Sequence, residues 1–207
     1  MHNYMKIGGF QPFSLSDYPG CVSAIVFTQG CNFRCPFCHN SSLVLPECYS
    51  PLIPEEEIFA VLNKRKMRLD GIVITGGEPT IQSDLIPFVK KIKDLGYKVK
   101  LDTNGSKPEV IDELISQKLI DYFALDIKAS WHKYSTLVGV NVSVDKIKET
   151  LFLLLQSLIP CDFRTTYARP LLDEEDIKEI QTYLPPDKKL TIQKFISQNA
   201  LNPALFA

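Results

Sequence analysis

The chain has 207 residues, of which 45% are hydrophobic, 10% aromatic and 23% charged. This composition is that of a globular protein with a buried core, and it excludes wholesale disorder and fibrous or low-complexity classes. The 23 lysines and arginines nearly balance the 24 aspartates and glutamates, and the formal net charge of −1 argues against a nucleic-acid partner held by a broad basic surface.

The apolar runs and the cysteine usage predict a soluble, cytoplasmic protein with no membrane partner. Residues 1–10 lack the basic and apolar regions of a signal peptide, and the longest apolar run, Leu151–Leu155, is far too short to span a membrane. In a reducing compartment, a tight group of cysteines marks a metal or catalytic site more often than disulfides. The six cysteines are Cys21, Cys31, Cys35, Cys38, Cys48 and Cys161.

Short apolar or β-branched runs alternate with amphipathic segments along the chain. The runs that predict buried strands are Val22–Thr28, Gly71–Thr75, Lys98–Asp102, Tyr122–Ile127, Asp162–Thr166 and Lys189–Phe195. The segments that predict helices are Pro54–Met67, Ser83–Gly96, Pro108–Gln117, Val144–Ser157 and Glu174–Tyr183. This alternation predicts an α/β fold in which right-handed crossovers join parallel strands.

The number of strand-helix units limits the architecture. A closed eight-fold barrel typically needs about 250 residues, so we expect an incomplete (βα)6 barrel of parallel strands, a partial TIM barrel, with a doubly wound sheet as the alternative. In both architectures, ligands bind at the carboxyl ends of the strands. The residues that follow each strand are therefore the candidates for the functional site.

Three cysteines follow the first predicted strand with the spacing C-x3-C-x2-C: Cys31, Cys35 and Cys38. Three thiolates in one loop can bind a four-iron cluster and leave one iron without a protein ligand, open to a substrate. The alternatives are a structural zinc site, with Cys48 or His39 as the fourth ligand, and a dithiol redox site at Cys35 and Cys38. The other three cysteines stand alone and are expected to be unremarkable residues.

The cysteine loop, C-N-F-R-C-P-F-C-H-N, together with the six-unit α/β pattern, resembles the radical S-adenosylmethionine (SAM) superfamily. Further segments resemble the activating proteins of anaerobic ribonucleoside-triphosphate reductase: F-S-L-S-D-Y-P-G at 13–20, F-T-Q-G at 27–30, T-G-G-E-P-T at 75–80, L-D-T-N-G at 101–105, A-L-D-I-K at 124–128 and F-R-T-T at 163–166. The resemblance implies a radical SAM core domain over residues 14–207, preceded by a lead-in segment at 1–13.

The resemblance also implies roles for individual residues. Cys31, Cys35 and Cys38 would hold a [4Fe-4S] cluster, and SAM would chelate its fourth iron. Gly77 and Glu78 would meet the amino group of SAM, Arg164 its carboxylate, and Phe37 would pack near the adenine or shield the cluster. The other implied cofactor-binding residues are Thr103, Asn104, Asp126 and Lys128, and the residues of a possible monovalent-cation site are Asp102, Thr103 and Asp126.

The implied reaction begins when flavodoxin or ferredoxin supplies one electron. SAM is then cleaved to methionine and a 5′-deoxyadenosyl radical, which takes the α-hydrogen of a glycine in a glycyl-radical enzyme, the anaerobic ribonucleotide reductase. Two alternatives remain open: a radical SAM enzyme acting on a small molecule such as a deazapurine-type precursor, and a non-catalytic zinc or dithiol module. The sequence assigns no role to His39, Trp131 or Tyr134.

Overall fold

The computed structural model describes residues 4–206 and is built around one sheet of seven strands. The strands are β1 (Ile7–Ser14), β2 (Ser23–Thr28), β3 (Gly71–Gly76), β4 (Lys98–Thr103), β5 (Tyr122–Asp126), β6 (Cys161–Tyr167) and β7 (Leu190–Lys194). Their spatial order follows the chain, with β2 to β7 parallel and β1 antiparallel to β2. The sheet is open, with β1 and β7 at its edges. The predicted α/β fold with an incomplete barrel of parallel strands is confirmed.

The sequential strand order also separates the two predicted architectures. A doubly wound sheet reverses its strand order at a switch point, whereas this sheet runs from β1 to β7 without a reversal. Each of the six predicted strands coincides with one of β2 to β7 to within one residue at either end. The apolar runs therefore locate the parallel strands well, but the prediction of a buried strand is wrong for β7, whose residues are half-buried or exposed because it lies at the edge of the sheet.

The helices of the structure include the five predicted ones. They are α1 (Ser41–Val44), α2 (Glu55–Lys64), α3 (Leu85–Asp94), α4 (Pro108–Ser116), α5 (Tyr134–Val138), α6 (Val144–Gln156) and α7 (Glu174–Thr182). The predicted helix after Pro54 ends three residues early, at Lys64, and Met67 is fully exposed beyond it. The short helices α1 and α5 were not predicted, because one turn of helix has too few residues to show a period.

Strand β1 was also not predicted. Its sequence, I-G-G-F-Q-P-F-S, contains two glycines and a proline, and its central residues are exposed or half-buried. It pairs with β2 on one side only, an edge position that tolerates such residues. The boundary of the predicted lead-in segment, at residue 13, therefore falls inside a strand of the sheet, and residues 1–3 and 207 lie outside the described part.

The core lies between the sheet and the helices that follow its strands. Helix α3 buries one apolar face in this core. The residues of that face recur at helical spacing and are Leu85, Phe88, Val89 and Ile92. The Phe88 ring meets the Phe59 ring of α2 edge-on, with 5.4 Å between the ring centroids. In the described residues, 4–206, no helix has the length and apolar character needed to cross a membrane.

The packing of α3 predicts a large loss of stability in Phe88→Ala. Phe88 is 1% exposed, and truncating a buried phenylalanine typically costs about 3–5 kcal/mol. The matched control is Phe152→Ala on α6, where the side chain is 62% exposed and the expected change is within about 0.5 kcal/mol. Urea unfolding under anaerobic conditions measures both values, and equal losses would contradict the assignment of Phe88 to the core.

Candidate active site

The carboxyl ends of the parallel strands surround one cavity of about 420 Å³. Each connection from a strand to the next helix places polar side chains at this edge of the sheet, where ligands of such folds bind. All of the residues that the sequence singled out for cofactor or cation binding line this cavity: Cys31, Cys35, Phe37, Cys38, Gly77, Glu78, Asp102, Thr103, Asn104, Asp126, Lys128 and Arg164. The structure brings them together, and their individual roles stay predictions.

The cysteine loop leaves β2 and holds its thiols with backbone amides. The Phe33 N–H donates to Cys31 Sγ at 3.3 Å, and the Asn40 N–H donates to Cys38 Sγ at 3.4 Å. A turn closed by the Cys38 N–H and the Cys35 carbonyl, at 3.0 Å, joins the last two cysteines. Amide hydrogen bonds to sulfur stabilise the thiolate form, which is the form that binds iron.

Burial has the opposite effect on two of these thiols. It raises the pKa of Cys31 to about 11 and that of Cys35 to about 12, while the nearby Lys128 ammonium lowers both values. The free thiols at these two positions therefore keep their protons near neutral pH. Binding of iron must displace those protons, so cluster assembly releases protons to solvent.

The geometry does not favour the zinc alternative. A structural zinc ion needs four ligands around one point, and within residues 4–206 no three His, Cys, Asp or Glu side chains are arranged to hold a single metal ion. Cys48 is exposed and does not line the cavity, while His39 Nε2 accepts a hydrogen bond from the Ile196 N–H at 3.1 Å. Cys48 therefore lies apart from the three thiols, and one ring nitrogen of His39 is already engaged.

The loop after β3 docks on the cysteine loop through backbone atoms. The Gly77 N–H donates to the Thr28 carbonyl and the Glu78 N–H to the Gly30 carbonyl, both at 2.8 Å. A Cβ atom added to Gly77 would lie only 1.9 Å from the Gly30 oxygen. Only glycine permits this approach, so the two loops form one rigid wall of the cavity.

The Glu78 carboxylate is buried behind this wall, with 1% of the residue exposed. Its Oε1 accepts from the Thr80 amide, the Thr80 hydroxyl and the Thr103 hydroxyl, and its Oε2 accepts from the Asn104 amide at 2.7 Å. Burial raises the pKa of Glu78, and these hydrogen bonds oppose that effect. Glu78 thus ties the β3 loop to the β4 loop, and its contact with an amine stays a prediction.

Five charged side chains, four on β4, β5 and β6 and the fifth two residues after β5, form a continuous network along the cavity. Lys100 Nζ lies 2.5 Å from Asp102 Oδ1, and an Arg164 terminal nitrogen lies 3.3 Å from Asp102 Oδ2. Arg164 Nε lies 2.8 Å from Asp126 Oδ1, and Lys128 Nζ lies 3.0 Å from Asp126 Oδ2. All four oxygens of the two carboxylates therefore accept from a protein cation.

The network fixes the protonation of three of its members, Asp126, Lys128 and Arg164. Burial alone would raise the pKa of Asp126, but Arg164 and Lys128 together hold it well below its ordinary value. Burial likewise opposes the charged forms of Lys128 and Arg164, and their aspartate partners nevertheless raise the pKa of both. All three groups are consequently ionised near neutral pH.

Sequence reasoning missed several residues of the site. Asp17, Asn40, Thr166 and Gln193 also line the cavity, and Lys100 lies behind it. Asp17, Asn40 and Thr166 belong to motifs that the sequence did single out, so those motifs were the available signal. The side-chain amide of Asn40 donates to the Gly76 carbonyl at 3.0 Å and so connects the cysteine loop to the end of β3.

A C-terminal segment, residues 195–206, covers one side of the cysteine loop. The Phe195 ring stacks on the His39 ring, with 5.5 Å between centroids and 10° between planes. The Asn202 N–H donates to the Pro36 carbonyl at 2.9 Å. Burial lowers the pKa of His39, which suits its neutral ring to accepting from the Ile196 amide.

The aromatic residues after β5 pack against the protein itself. The Trp131 ring stacks on Tyr183 at 4.2 Å and on Tyr134 at 5.8 Å between centroids. Tyr134 is fully buried, and its hydroxyl oxygen accepts from the Lys128 amide at 3.2 Å. These contacts support the backbone that carries Lys128.

Comparison with known proteins identifies the class to which this fold and site belong. The family model of the radical SAM superfamily matches residues 25–184, which span β2 to α7 and include all three loop cysteines. The chain belongs to the radical SAM superfamily, and its cofactors are a [4Fe-4S] cluster and SAM.

Within this superfamily, the chain is similar to two proteins of Methanocaldococcus jannaschii named as glycyl-radical enzyme activating enzymes. One is 37% identical over 199 residues, which cover 94% of this chain and 81% of the relative. The other is 34% identical over 167 residues, covering 77% of this chain and 61% of the relative. The structure of SuiB from Streptococcus suis bound to SAM shares the fold, with a TM-score of 0.63 at 19% identity over 83% of this chain and 42% of SuiB.

The residues at the cavity fit these cofactors. Three thiols of one loop face a common space, backbone amides donate to two of the sulfurs, and the Lys128 ammonium lies close enough to lower the pKa of Cys31 and Cys35. Such a donor set suits an iron-sulfur cluster, whose sulfur ligands are thiolates supported by amide hydrogen bonds. Cys31, Cys35 and Cys38 are therefore the residues that would hold it.

The backbone contact between the two loops predicts that Gly77→Ala disrupts cofactor binding. The added methyl group would collide with the Gly30 carbonyl at 1.9 Å, which forces the loops apart and displaces Cys31. We expect the variant to lose SAM affinity by at least about tenfold after anaerobic reconstitution. The matched control is Gly9→Ala, whose Cβ would have its nearest contact at an ordinary 3.4 Å, and equal affinities of the two variants would contradict this prediction.

The cavity also separates the six cysteines into two sets. Replacing Cys31, Cys35 or Cys38 by alanine should abolish the cluster, because each removes one of three thiolate ligands. Replacing Cys21, Cys48 or Cys161, none of which lines the cavity, should leave the iron content unchanged. Iron and sulfide analysis of the reconstituted variants measures this difference, and a full cluster in Cys31→Ala would overturn the ligand assignment.

Proposed function

We propose that this protein is a radical SAM activase that generates a glycyl radical on a partner enzyme, and that the partner is an anaerobic ribonucleoside-triphosphate reductase. The observation that carries the proposal is the convergence of the cysteine loop and the T-G-G-E-P-T loop on one cavity. The similarity to the M. jannaschii proteins supports the activase role. The motifs of the sequence support the choice of partner.

When bound, the cluster and SAM supply a one-electron cleavage of SAM that gives methionine and a 5′-deoxyadenosyl radical. The chain holds the cluster through its three cysteines and shapes the space for SAM. Phe33 and Phe37 line this space and are 2% and 3% exposed. Their apolar surface excludes water from the place where a reactive radical must be contained.

The charge network would bind the carboxylate of SAM. It holds three cations and two anions, Asp102 and Asp126, so it carries an excess positive charge at the cavity. An anionic group is attracted to such a site, and the Lys128 and Arg164 side chains both line the cavity. Thr103 and Asn104, which Glu78 fixes in place, would contact the remainder of SAM.

The radical would abstract the α-hydrogen of one glycine in the partner and leave a stored glycyl radical there. The partner's glycine must come within reach of the cavity at the carboxyl ends of the strands. Flavodoxin or ferredoxin would supply the electron, and a cytoplasmic location would suit both partners.

The proposal is tested with the reconstituted enzyme in two steps. In the first, about four irons per chain and 5′-deoxyadenosine after dithionite reduction with SAM are expected. In the second, the enzyme is mixed anaerobically with an anaerobic ribonucleotide reductase, and electron paramagnetic resonance should show a glycyl radical. The control is a reductase whose radical glycine is replaced by alanine, which should give deoxyadenosine without the protein radical.

The outcomes separate the two parts of the proposal. A radical formed on a different glycyl-radical enzyme, but not on the reductase, would replace the partner and keep the activase function. Cleavage of SAM with no radical on any glycyl-radical enzyme would overturn the activase function and favour a small-molecule substrate.

A further inference from the structure

Lys100 is the member of the charge network that lies behind the cavity, whereas Asp102, Asp126, Lys128 and Arg164 line it. It lies in the middle of β4, and the residue is 2% exposed. Lys100 is not among the residues that line the cavity. Burying an ammonium is costly unless an opposite charge compensates it, and the compensating group here is Asp102, with 2.5 Å between Nζ and Oδ1.

The surroundings of Lys100 disagree with the monovalent-cation site that the sequence suggested. That site would use Asp102, Thr103 and Asp126, but Arg164 lies between the two carboxylates and bonds to both. The Thr103 hydroxyl donates to Glu78 at 2.8 Å and accepts from the Gly105 amide at 3.1 Å. The ligands of the suggested site are thus already engaged with other groups of the protein.

The net charge of the network also argues against a bound monovalent cation. Its cations already outnumber its anions by one, so Asp102 and Asp126 need no further cation to balance their charge. Without the Lys100 ammonium, cations and anions would be equal in number. Asp102 Oδ1 would then lack its donor in a position where the side chain is only 15% exposed.

We propose that Lys100 is a positioning residue that serves as a fixed internal cation, so that Asp102 and Asp126 need no bound metal ion to shape the SAM site. The ammonium acts on SAM only through Asp102, which it holds in place from the side remote from the cavity. Two consequences follow: SAM binding by the wild-type enzyme is indifferent to the monovalent cation in the buffer, and removal of the ammonium creates a requirement for one.

The experiment measures SAM affinity of the reconstituted enzyme in sodium, potassium and tetramethylammonium chloride at equal ionic strength. Tetramethylammonium carries the same charge but cannot accept carboxylate ligands at close range. For the wild type, we expect the same dissociation constant in all three salts. For Lys100→Met, we expect SAM to bind at least about fivefold more tightly in sodium or potassium than in tetramethylammonium, and Tm to rise in the same salts.

The matched control is Lys98→Met, on the same strand two residues earlier, where the lysine is exposed. This variant should behave as the wild type in every salt, because its ammonium takes no part in the network. A general effect of salt on charged proteins would change both variants equally, whereas the internal-cation role changes only Lys100→Met.

Each result decides the proposal. A wild-type SAM affinity that depends on sodium or potassium would overturn it, as would a folded Lys100→Met enzyme with no cation response in affinity or Tm. If Lys100→Met does not fold, Lys100→Gln, which removes the charge but keeps a donor for Asp102, is measured in the same three salts with the same expected result. None of these measurements involves the partner enzyme, so their outcome does not depend on the proposed activase function.

Discussion

The site depends on one contact, the approach of the Gly77 backbone to the Gly30 carbonyl. Because this contact leaves no room for a side chain, it joins the β3 loop to the cysteine loop at a fixed distance. Glu78, the next residue, extends the connection to Thr103 and Asn104 after β4. The loops of three successive strands therefore behave as one unit, which preorganises the cavity before any cofactor binds.

The second organising feature is the balance between buried charges of opposite sign. Burial keeps the thiols of Cys31 and Cys35 protonated until iron replaces the protons, and the cysteine loop faces a network with more cations than anions. A cluster held by three thiolates adds negative charge to this region, and Lys128, next to it, compensates part of that charge. Lys128 thus interacts with both the Asp126 carboxylate and the thiols of Cys35 and Cys38.

The sequence predicted the features that depend on local pattern. Apolar runs located β2 to β7, and the spacing of Cys31, Cys35 and Cys38 indicated a cluster loop at a strand end. The features that it did not predict depend on neighbours distant in the chain. Edge strand β1 has two glycines and a proline in place of an apolar run. The place of Lys100 in the charge network depends on Arg164, which β6 brings to Asp102, and the inward hydrogen bonds of Glu78 require that β3 and β4 be neighbours.

The C-terminal segment that covers one side of the cysteine loop is synthesised long after the loop itself. His39 and Ile196 are 157 residues apart in the chain, which corresponds to roughly 8–30 s of synthesis at typical translation rates. During that interval the loop that receives iron exists without the segment that later shields it. The contacts that cover this side of the cysteine loop can form only after residue 196 has been synthesised, so they are among the last contacts that the loop makes.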